Sequence, residues 1–361
     1  MLFKRTLIHE LASTAGSAFL ILVGIVVAQR VAYYISIAAT GGLASDAINT
    51  LLGFSMLRFL PMLLSLTIFL AVLLTLTRWH RDSEMVVWFS SGLGIAGWIR
   101  PVLVFSVPVV VLIGFLSLFV SPWATHKGAD FRNQLKSRDE LSSISPGVFK
   151  ESANADRVFF IESFDELGNL VKNIFVQSVQ HKRLGIVVAA KGHRAVEPNG
   201  DNFLIMENGR RYEGAPNTPE FSTTEFERYE IRIEPAEVKQ EPPSTQSKSS
   251  LELLKQHSPD NIAEIQGRLA TPISAFLLVL LAIPLSFVDP RSGRSANLMM
   301  ALLIYIIYNN LLSIMQASVA QAKLSPIIGL WPVHGFFLLL TIYMFYRRIF
   351  QLPLIPRLWF K

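Results

Sequence analysis

Three cationic side chains lie within or beside apolar stretches of the sequence. Arg30 and Arg58 fall inside such stretches, and Lys323 follows another. A charge at the centre of a bilayer costs about 3 kcal/mol on insertion scales, so it needs a partner or a route to the surface. Guanidinium groups bind phosphate well, often bidentately. The three cations therefore predict a site for an anionic lipid headgroup, and snorkelling of Arg58 and Arg30 to ordinary phospholipid phosphates is the alternative.

The polar loop Arg78–Arg100 is longer than a tight turn needs. Asp82 or Ser83 can cap the start of a short helix, and Glu84 suits its positively polarised first turn. An apolar stripe at i, i+3 and i+4 follows on one face. We predict that this helix docks into a groove of a partner protein, or alternatively lies among the lipid headgroups. The residues of this candidate site are Arg81, Asp82, Ser83, Glu84, Met85 and Trp88, with Phe89 completing the stripe.

A tight turn at residues 288–294 is the third candidate. Pro290 and Gly293 set the turn, and Asp289 can pair with Arg291 or Arg294. Its positive charge also serves to hold the topology of the chain, which is the plainer interpretation.

Catalytic signatures are missing from the sequence. It has no Gly-Lys pair, hence no Walker A loop, and no HExxH or GxSxG motif. It has no cysteine, and its seven histidines are scattered. His334 alone lies inside an apolar run, where a hydrogen bond to a neighbouring helix is the commoner role. The sequence therefore gives no support for an enzyme.

Six apolar runs must position these residues. The chain is 51% hydrophobic and only 17% charged, with a mean hydropathy of +0.40. A helix needs about 20 apolar residues to cross a bilayer. These values predict an α-helical polytopic membrane protein with six transmembrane helices and exclude a nucleic-acid-binding protein. The runs are Leu11–Ile35, Leu51–Thr77, Pro101–Ser121, Leu269–Val288, Asn297–Val319 and Pro326–Tyr346.

The short loops differ in charge. Eleven Lys and Arg residues fall in the terminal segments and in the loops on one side of the six runs, against Lys323 alone on the other side. Such residues mark cytoplasmic loops. Both termini are therefore predicted to be cytoplasmic, with residues 122–268 on the opposite side.

Residues 122–268 are predicted to form an inserted β domain. Five short runs of β-branched and aromatic residues alternate with turn-forming groups, among them Asn208-Gly209. This pattern fits a sandwich, a jelly roll or an open curved sheet. Residues 235–250 are rich in Pro, Ser and charge and predict a flexible linker. The predicted domains are thus 1–121, with a short helix at about 82–97, then 122–268 and 269–361.

Short motifs in this frame resemble those of the lipopolysaccharide-export permeases. The matching stretches are Arg81–Val87, Gly209–Gly214, Ala263–Arg268, Ile283–Arg294 and Ala322–Pro326. These stretches follow one another in the family's order, and the resemblance covers nearly the whole chain. The Pro-Arg-x-Gly-Arg turn at residues 290–294 is more similar to the F than to the G subunits of the family.

This resemblance implies a bacterial inner-membrane, multi-pass subunit with a periplasmic β jelly roll. Its implied partners are a homologous six-span G subunit, two copies of a cytoplasmic ABC ATPase, a single-span bridge protein (the C subunit) and lipopolysaccharide. The chain would bind no cofactor, because ATP and magnesium belong to the ATPase. Glu84 matches the carboxylate of the family's coupling helix, and Arg30 and Lys323 match basic positions expected to meet lipid A phosphates. Arg58 matches no basic position of the family, so its assignment to the phosphate site rests only on its predicted depth in the membrane.

Two other classes remain open at this stage. One is a membrane-anchored periplasmic binding or scaffold protein without transport activity. The other is an intramembrane enzyme acting on lipid headgroups. Co-purification of a soluble ATPase separates a transporter from both.

Overall fold

The computed structural model describes residues 2–39, 47–92, 94–137, 147, 149–151, 157–164, 170–180, 183–196, 202–214, 221–233, 244–287 and 294–350. The chain divides into two compact units. The first, the helical unit, comprises Met1–Val31, Leu51–Gly128 and Pro243–Lys361. The second, the sheet unit, comprises Ala32–Thr50 and Ala129–Pro242.

Long helices dominate the part of the chain that the structure describes. Five of them are long and apolar enough to cross a membrane: Arg5–Ala39, Ala47–Arg81, Ile95–Leu135, Pro259–Leu285 and Leu298–Ala320. The predicted sixth span corresponds to a helix over Trp331–Ile349, which is not among these five. His334 and the pair Arg347 and Arg348 make it less apolar, so the count of six spans is not confirmed. The helices are α1 (Leu2–Ala39), α2 (Ala47–Arg81), α3 (Glu84–Ser90), α4 (Ile99–Phe115), α5 (Ser121–Ser137), α6 (Ser250–Lys255), α7 (Pro259–Leu285), α8 (Arg294–Ala320) and α9 (Trp331–Ile349).

The third span is longer than predicted. A 3₁₀ turn at Ile95–Trp98 leads into α4, and a π-helical turn at Leu116–Val120 joins α4 to α5 without a break. The division between the two compact units falls within α5, at residues 128/129, and again at residues 242/243. Polar residues of α5 continue the helix past its apolar stretch, which hydropathy alone does not indicate.

The core of the helical unit surrounds α7. Ser258 caps this helix by accepting a hydrogen bond from the backbone N–H of Asn261, and Pro259 occupies the first turn, as predicted. The middle of α7 is buried on most sides among α4, α8 and α9. At one end Trp79 and Trp98 meet edge to face with ring centroids 5.5 Å apart.

The described strands of the sheet unit form one antiparallel meander in chain order. They are β1 (Lys150–Glu151), β2 (Arg157–Phe164), β3 (Leu170–Gln180), β4 (Arg183–Val196), β5 (Asn202–Gly214) and β6 (Phe221–Ile233). Each of the five predicted strands is present and longer than predicted. Among the described residues the sheet is single and open, so the jelly roll is not confirmed.

A bend crosses the sheet where a turn was predicted. Asn208-Gly209 lies inside β5, not between strands, and Asn208 has φ 53°. Asn173 of β3 has φ 48°, and the register pairs on either side place both asparagines level with Ala190 of β4, where the ladders skip a pair. Core-facing residues are spaced by three across this line instead of two, as at Val171 and Ile174. The apolar face therefore continues on both sides of the bend.

The end of the predicted flexible linker is ordered. Residues 245–247 form a 3₁₀ turn, and α6 begins at Ser250. The side chain of Ser249 caps α6 by accepting from the Glu252 N–H. Residues 235–243 lie outside the described residues.

We expect Gly209→Ala to destabilise the sheet unit by about 1–3 kcal/mol, the usual effect of overpacking. The added Cβ would overlap the Val188 carbonyl oxygen and the Phe226 ring. Limited proteolysis at rising temperature should show earlier cleavage of the sheet unit. Gly185→Ala is the control, because the nearest atom there is the Ser178 hydroxyl oxygen at 3.3 Å. Equal thermal resistance of both variants would contradict the close approach at the bend.

Candidate functional site

The predicted docking helix exists as α3, directly after α2. Ser83 occupies its N-cap position but makes no side-chain capping bond, so the predicted cap is wrong. Its φ of 59° instead turns the chain between the two helices. Arg81 and Asp82 precede it as a loose ion pair with 3.5 Å between Nε and Oδ1.

The apolar stripe of α3 faces the protein's own core. Met85 is 2% exposed and belongs to the main core cluster, and Trp88 packs against that cluster. The most exposed apolar side chains are Val86 and Val87, about two-thirds accessible each, while Phe89 at the end of the stripe is 36% exposed. Met85 and Trp88 therefore fix α3 in place and do not form the predicted apolar knob. A hydrophobic period shows which residues share a face, but not what covers that face.

Glu84 stays half exposed at the start of α3. Its carboxylate lies 3.8 Å from the Arg78 guanidinium, beyond hydrogen-bond distance. Arg78 donates a hydrogen bond to Glu10 of α1 at 2.7 Å, and the Trp79 indole N–H donates to the same carboxylate. Since Arg78 is engaged by Glu10, Glu84 remains available to a further cation.

An aromatic cluster joins α3 to the ends of α2, α7 and α9. The rings of His80 and Phe287 lie 4.1 Å apart, and Phe89 stacks on Phe287. Arg348 donates to the Phe287 carbonyl at 3.0 Å, and its guanidinium lies 4.9 Å from the Phe287 ring centroid. The candidate turn follows directly. Asp289, Arg291 and Gly293 lie outside the described residues, and Arg294 is the first residue of α8.

Two of the three predicted phosphate-binding cations come together. The Arg30 guanidinium lies 4.3 Å from the centroid of the Phe59 ring, and that of Arg58 lies 5.8 Å from it. Both distances fall within cation–π range. Lys323 is exposed in the turn that follows α8. The structure thus forms a pair of cations around one ring, with Lys323 on another helix end.

Each group of polar residues occupies one end of the helices. Glu10 and Arg30 are twenty residues apart on α1, and Phe59 and Arg78 are nineteen apart on α2. At 1.5 Å per residue these separations are about 30 Å, the thickness of the hydrocarbon core. The Glu84 end and the Arg30 end therefore lie a bilayer apart.

Arg268 of α7 carries a network that the sequence did not reveal. The side chain is 5% exposed. Its Nε donates to Glu264 at 2.9 Å and its Nη1 to the Ser250 hydroxyl at 2.8 Å. Its Nη2 donates to the carbonyls of Gln246 and Lys248 at 3.2 and 3.0 Å. One guanidinium thus holds the segment from the 3₁₀ turn to α6, which we call the connector (residues 244–255).

Arg58 takes part in this network as well. Its guanidinium donates to the Gln246 side chain at 2.7 Å. The partner is 188 residues away in the chain, so no local pattern signals it. Arg58 therefore contacts the connector, while its exposed remainder still faces outward.

His334 makes a helix–helix hydrogen bond, the commoner of the roles that its place in an apolar run predicts. The Tyr308 hydroxyl of α8 and the His334 Nδ1 of α9 lie 2.7 Å apart, and Tyr308 stacks on Phe337 at 3.8 Å. The pair ties α8 to α9 in the core.

Comparison with known proteins gives one family. Residues 5–347 match the family described as lipopolysaccharide export system permease LptF/LptG. The chain is 25% identical to the lipopolysaccharide export system permease protein LptF of Escherichia coli K12. The alignment extends over 345 residues and covers 95% of this chain and 94% of that protein. The protein of the same name from Shigella flexneri matches equally. The likeness spans both units and confirms the resemblance drawn from the short motifs.

We expect Arg268→Leu to release the connector, because breaking a buried ion pair costs about 3–5 kcal/mol. Trypsin cleavage after Lys248 or Lys255 should become at least about tenfold faster. Arg268→Lys should rescue only in part, since an ammonium lacks the planar fork that reaches all four partners. Arg58→Ala, which removes a single exposed bond, is the control. Unchanged cleavage in Arg268→Leu would contradict the role of this network.

Proposed function

The chain belongs to the LptF/LptG family of lipopolysaccharide export system permeases, and from this premise we propose that it is a transmembrane subunit of an ABC-type lipopolysaccharide exporter. In this proposal the complex extracts lipopolysaccharide from the outer leaflet of the inner membrane and passes it to a periplasmic bridge. ATP hydrolysis in a partner drives the cycle. The observation that carries the proposal is the family match over residues 5–347, which includes the helices, the sheet and both charged ends.

In the proposed assembly α3 meets the ATPase. The chain pairs with a homologous G subunit above two ATPase copies, which hold ATP and magnesium, so this chain needs no cofactor and performs no catalysis. The half-exposed Glu84 and the outward Val86 and Val87 form the contact surface. Met85, Trp88 and the cluster of His80, Phe89 and Phe287 link that surface to α2 and α7. A shift of α3 would thereby move the ends of the spans.

At the opposite end the cations meet the substrate. Arg30 and Arg58 flank Phe59 about 30 Å from the Glu84 end. With both termini cytoplasmic and six spans, this level is the headgroup region of the outer leaflet. Arg30 and Lys323 bind lipid A phosphates, and Arg58 joins them when it leaves Gln246.

The sheet unit receives the acyl chains. Its bent, open sheet carries a continuous apolar face that includes Phe159, Ile174 and Met206. Such a face suits a jelly-roll-like groove that hands lipid to a bridge of similarly folded proteins, beginning with a single-span C subunit. The sheet unit is then periplasmic.

Replacing the coupling carboxylate should detach the ATPase. In Glu84→Gln, we expect the amount of co-purified ATPase to fall by about tenfold or more, because removing one partner of a buried interfacial charge pair costs about 2–5 kcal/mol. Glu252→Gln, an exposed carboxylate on α6, is the matched control. Equal ATPase recovery in both variants would contradict the docking role.

Replacing the predicted phosphate ligands should weaken substrate binding and leave assembly intact. We expect Arg30→Ala and Lys323→Ala each to reduce photo-crosslinking of lipopolysaccharide severalfold, at unchanged yield of the complex. Lys255→Ala, an exposed cation on α6, serves as the control. Arg58→Ala reports whether the arginine serves the substrate or only the connector. Undiminished crosslinking in both Arg30→Ala and Lys323→Ala would overturn the phosphate site.

A further inference from the structure

The short helix α6 presents two large apolar side chains outward. Leu251 is 68% exposed and Leu254 is 57% exposed, whereas Leu253 is buried. At 100° per residue, the two exposed leucines lie beside Ser250 and Leu253 on one side of the helix. The exposed Glu252 and Lys255 occupy the opposite side. The helix is therefore amphipathic. The rest of the protein buries Leu253 but leaves Leu251 and Leu254, on the same apolar side, exposed.

This helix is firmly held. The Ser250 hydroxyl donates to the Leu118 carbonyl of the third span and accepts from Arg268. The Ser249 side chain caps the first turn. The outward leucines are thus a fixed feature of the surface and not part of a frayed end.

The contacts of α6 also give its depth. Leu118 is twenty residues beyond Trp98, and Arg268 is nineteen residues before Phe287, on two different helices. Trp98 and Phe287 belong to the clusters at the Glu84 end. Both separations are about 30 Å of helix, so α6 lies at the level where the hydrocarbon ends.

The surface next to this level faces lipid. Phe115 and Phe119, within a turn of Leu118, are more than half exposed in the apolar part of the third span. Leu269 follows Arg268 and is also exposed. The leucines of α6 extend this apolar surface at its edge.

We propose that α6 is a membrane-surface anchor. Leu251 and Leu254 insert into the boundary between acyl chains and headgroups of the surrounding bilayer, while Glu252 and Lys255 stay among the headgroups. The occupant of the apolar surface is ordinary bilayer phospholipid, because α6 continues the lipid-facing surface of the spans. The anchor fixes the connector at the membrane surface just before α7. It requires neither the ATPase nor lipopolysaccharide and is independent of the proposed export function.

The absence of cysteine from the chain gives a clean test. Leu251→Cys and Leu254→Cys are labelled with a nitroxide in the full chain, reconstituted in phosphatidylcholine–phosphatidylglycerol nanodiscs without lipopolysaccharide or ATPase. Relaxation by oxygen, which concentrates in lipid, is compared with relaxation by a water-soluble nickel chelate. Glu252→Cys is the matched control on the polar side. Val111→Cys on α4 reports a lipid-facing site, and Glu225→Cys on β6 reports an aqueous one.

We expect the oxygen-to-nickel ratio at both leucine positions to exceed that at Glu252→Cys severalfold and to approach that at Val111→Cys. Ratios equal to that of Glu225→Cys would place the leucines in water and overturn the proposal. Exclusion of both reagents would mean a protein cover and would overturn it too. Leu254→Trp provides a second measurement, because brominated phospholipid should quench its added fluorescence. Absence of that quenching would contradict the anchor. None of these results depends on transport, so failure of the export proposal remains distinguishable.

Discussion

The thickness of the hydrocarbon layer is the constraint on which the helical unit depends. Four helices carry anchoring residues at two levels that are nineteen or twenty residues apart: Glu10 and Arg30 on α1, Phe59 and Arg78 on α2, Trp98 and Leu118 on the third span, and Arg268 and Phe287 on α7. At one level Glu10 joins α1 to α2, and Phe287 joins α2, α3, α7 and α9. At the other, Arg268 and Arg58 hold the connector. Between these levels the packing is almost entirely apolar, since each unpaired polar group would be costly there.

The elements of both units could largely be predicted from the sequence, because their signals are local. Five long apolar runs became membrane-length helices, and five β-branched runs became strands. Their ends could not be predicted, since α5 and the outer strand residues are polar and are ordered by contacts along the helix or the sheet ladder. The bend was mistaken for a turn because Asn-Gly favours positive φ in both settings. The helix α9 was predicted as a span although its hydropathy is low, and its histidine and arginines form hydrogen bonds with partners that a hydropathy value does not include.

The candidate site was predictable in its chemistry but not in its contacts. Glu84 and the pair Arg30 and Arg58 follow from charge in or beside apolar sequence. The inward direction of Met85, the bond from Arg58 to Gln246 and the whole Arg268 network depend on distant segments. Arg268 was part of a motif that suggested the family, yet nothing local indicates that it organises the connector. Long-range polar contacts of this kind become visible only once the helices are packed.

The central claim is that this chain works as one half of an ATP-driven lipid exporter. Native mass spectrometry tests it most directly, on the tagged chain co-expressed with the products of its neighbouring genes and purified in mild detergent. The account predicts a complex of this chain, a second permease subunit and two ATPase copies, with a bound multi-acylated lipid. A bare chain or a homodimer, with neither ATPase nor such a lipid, would contradict it.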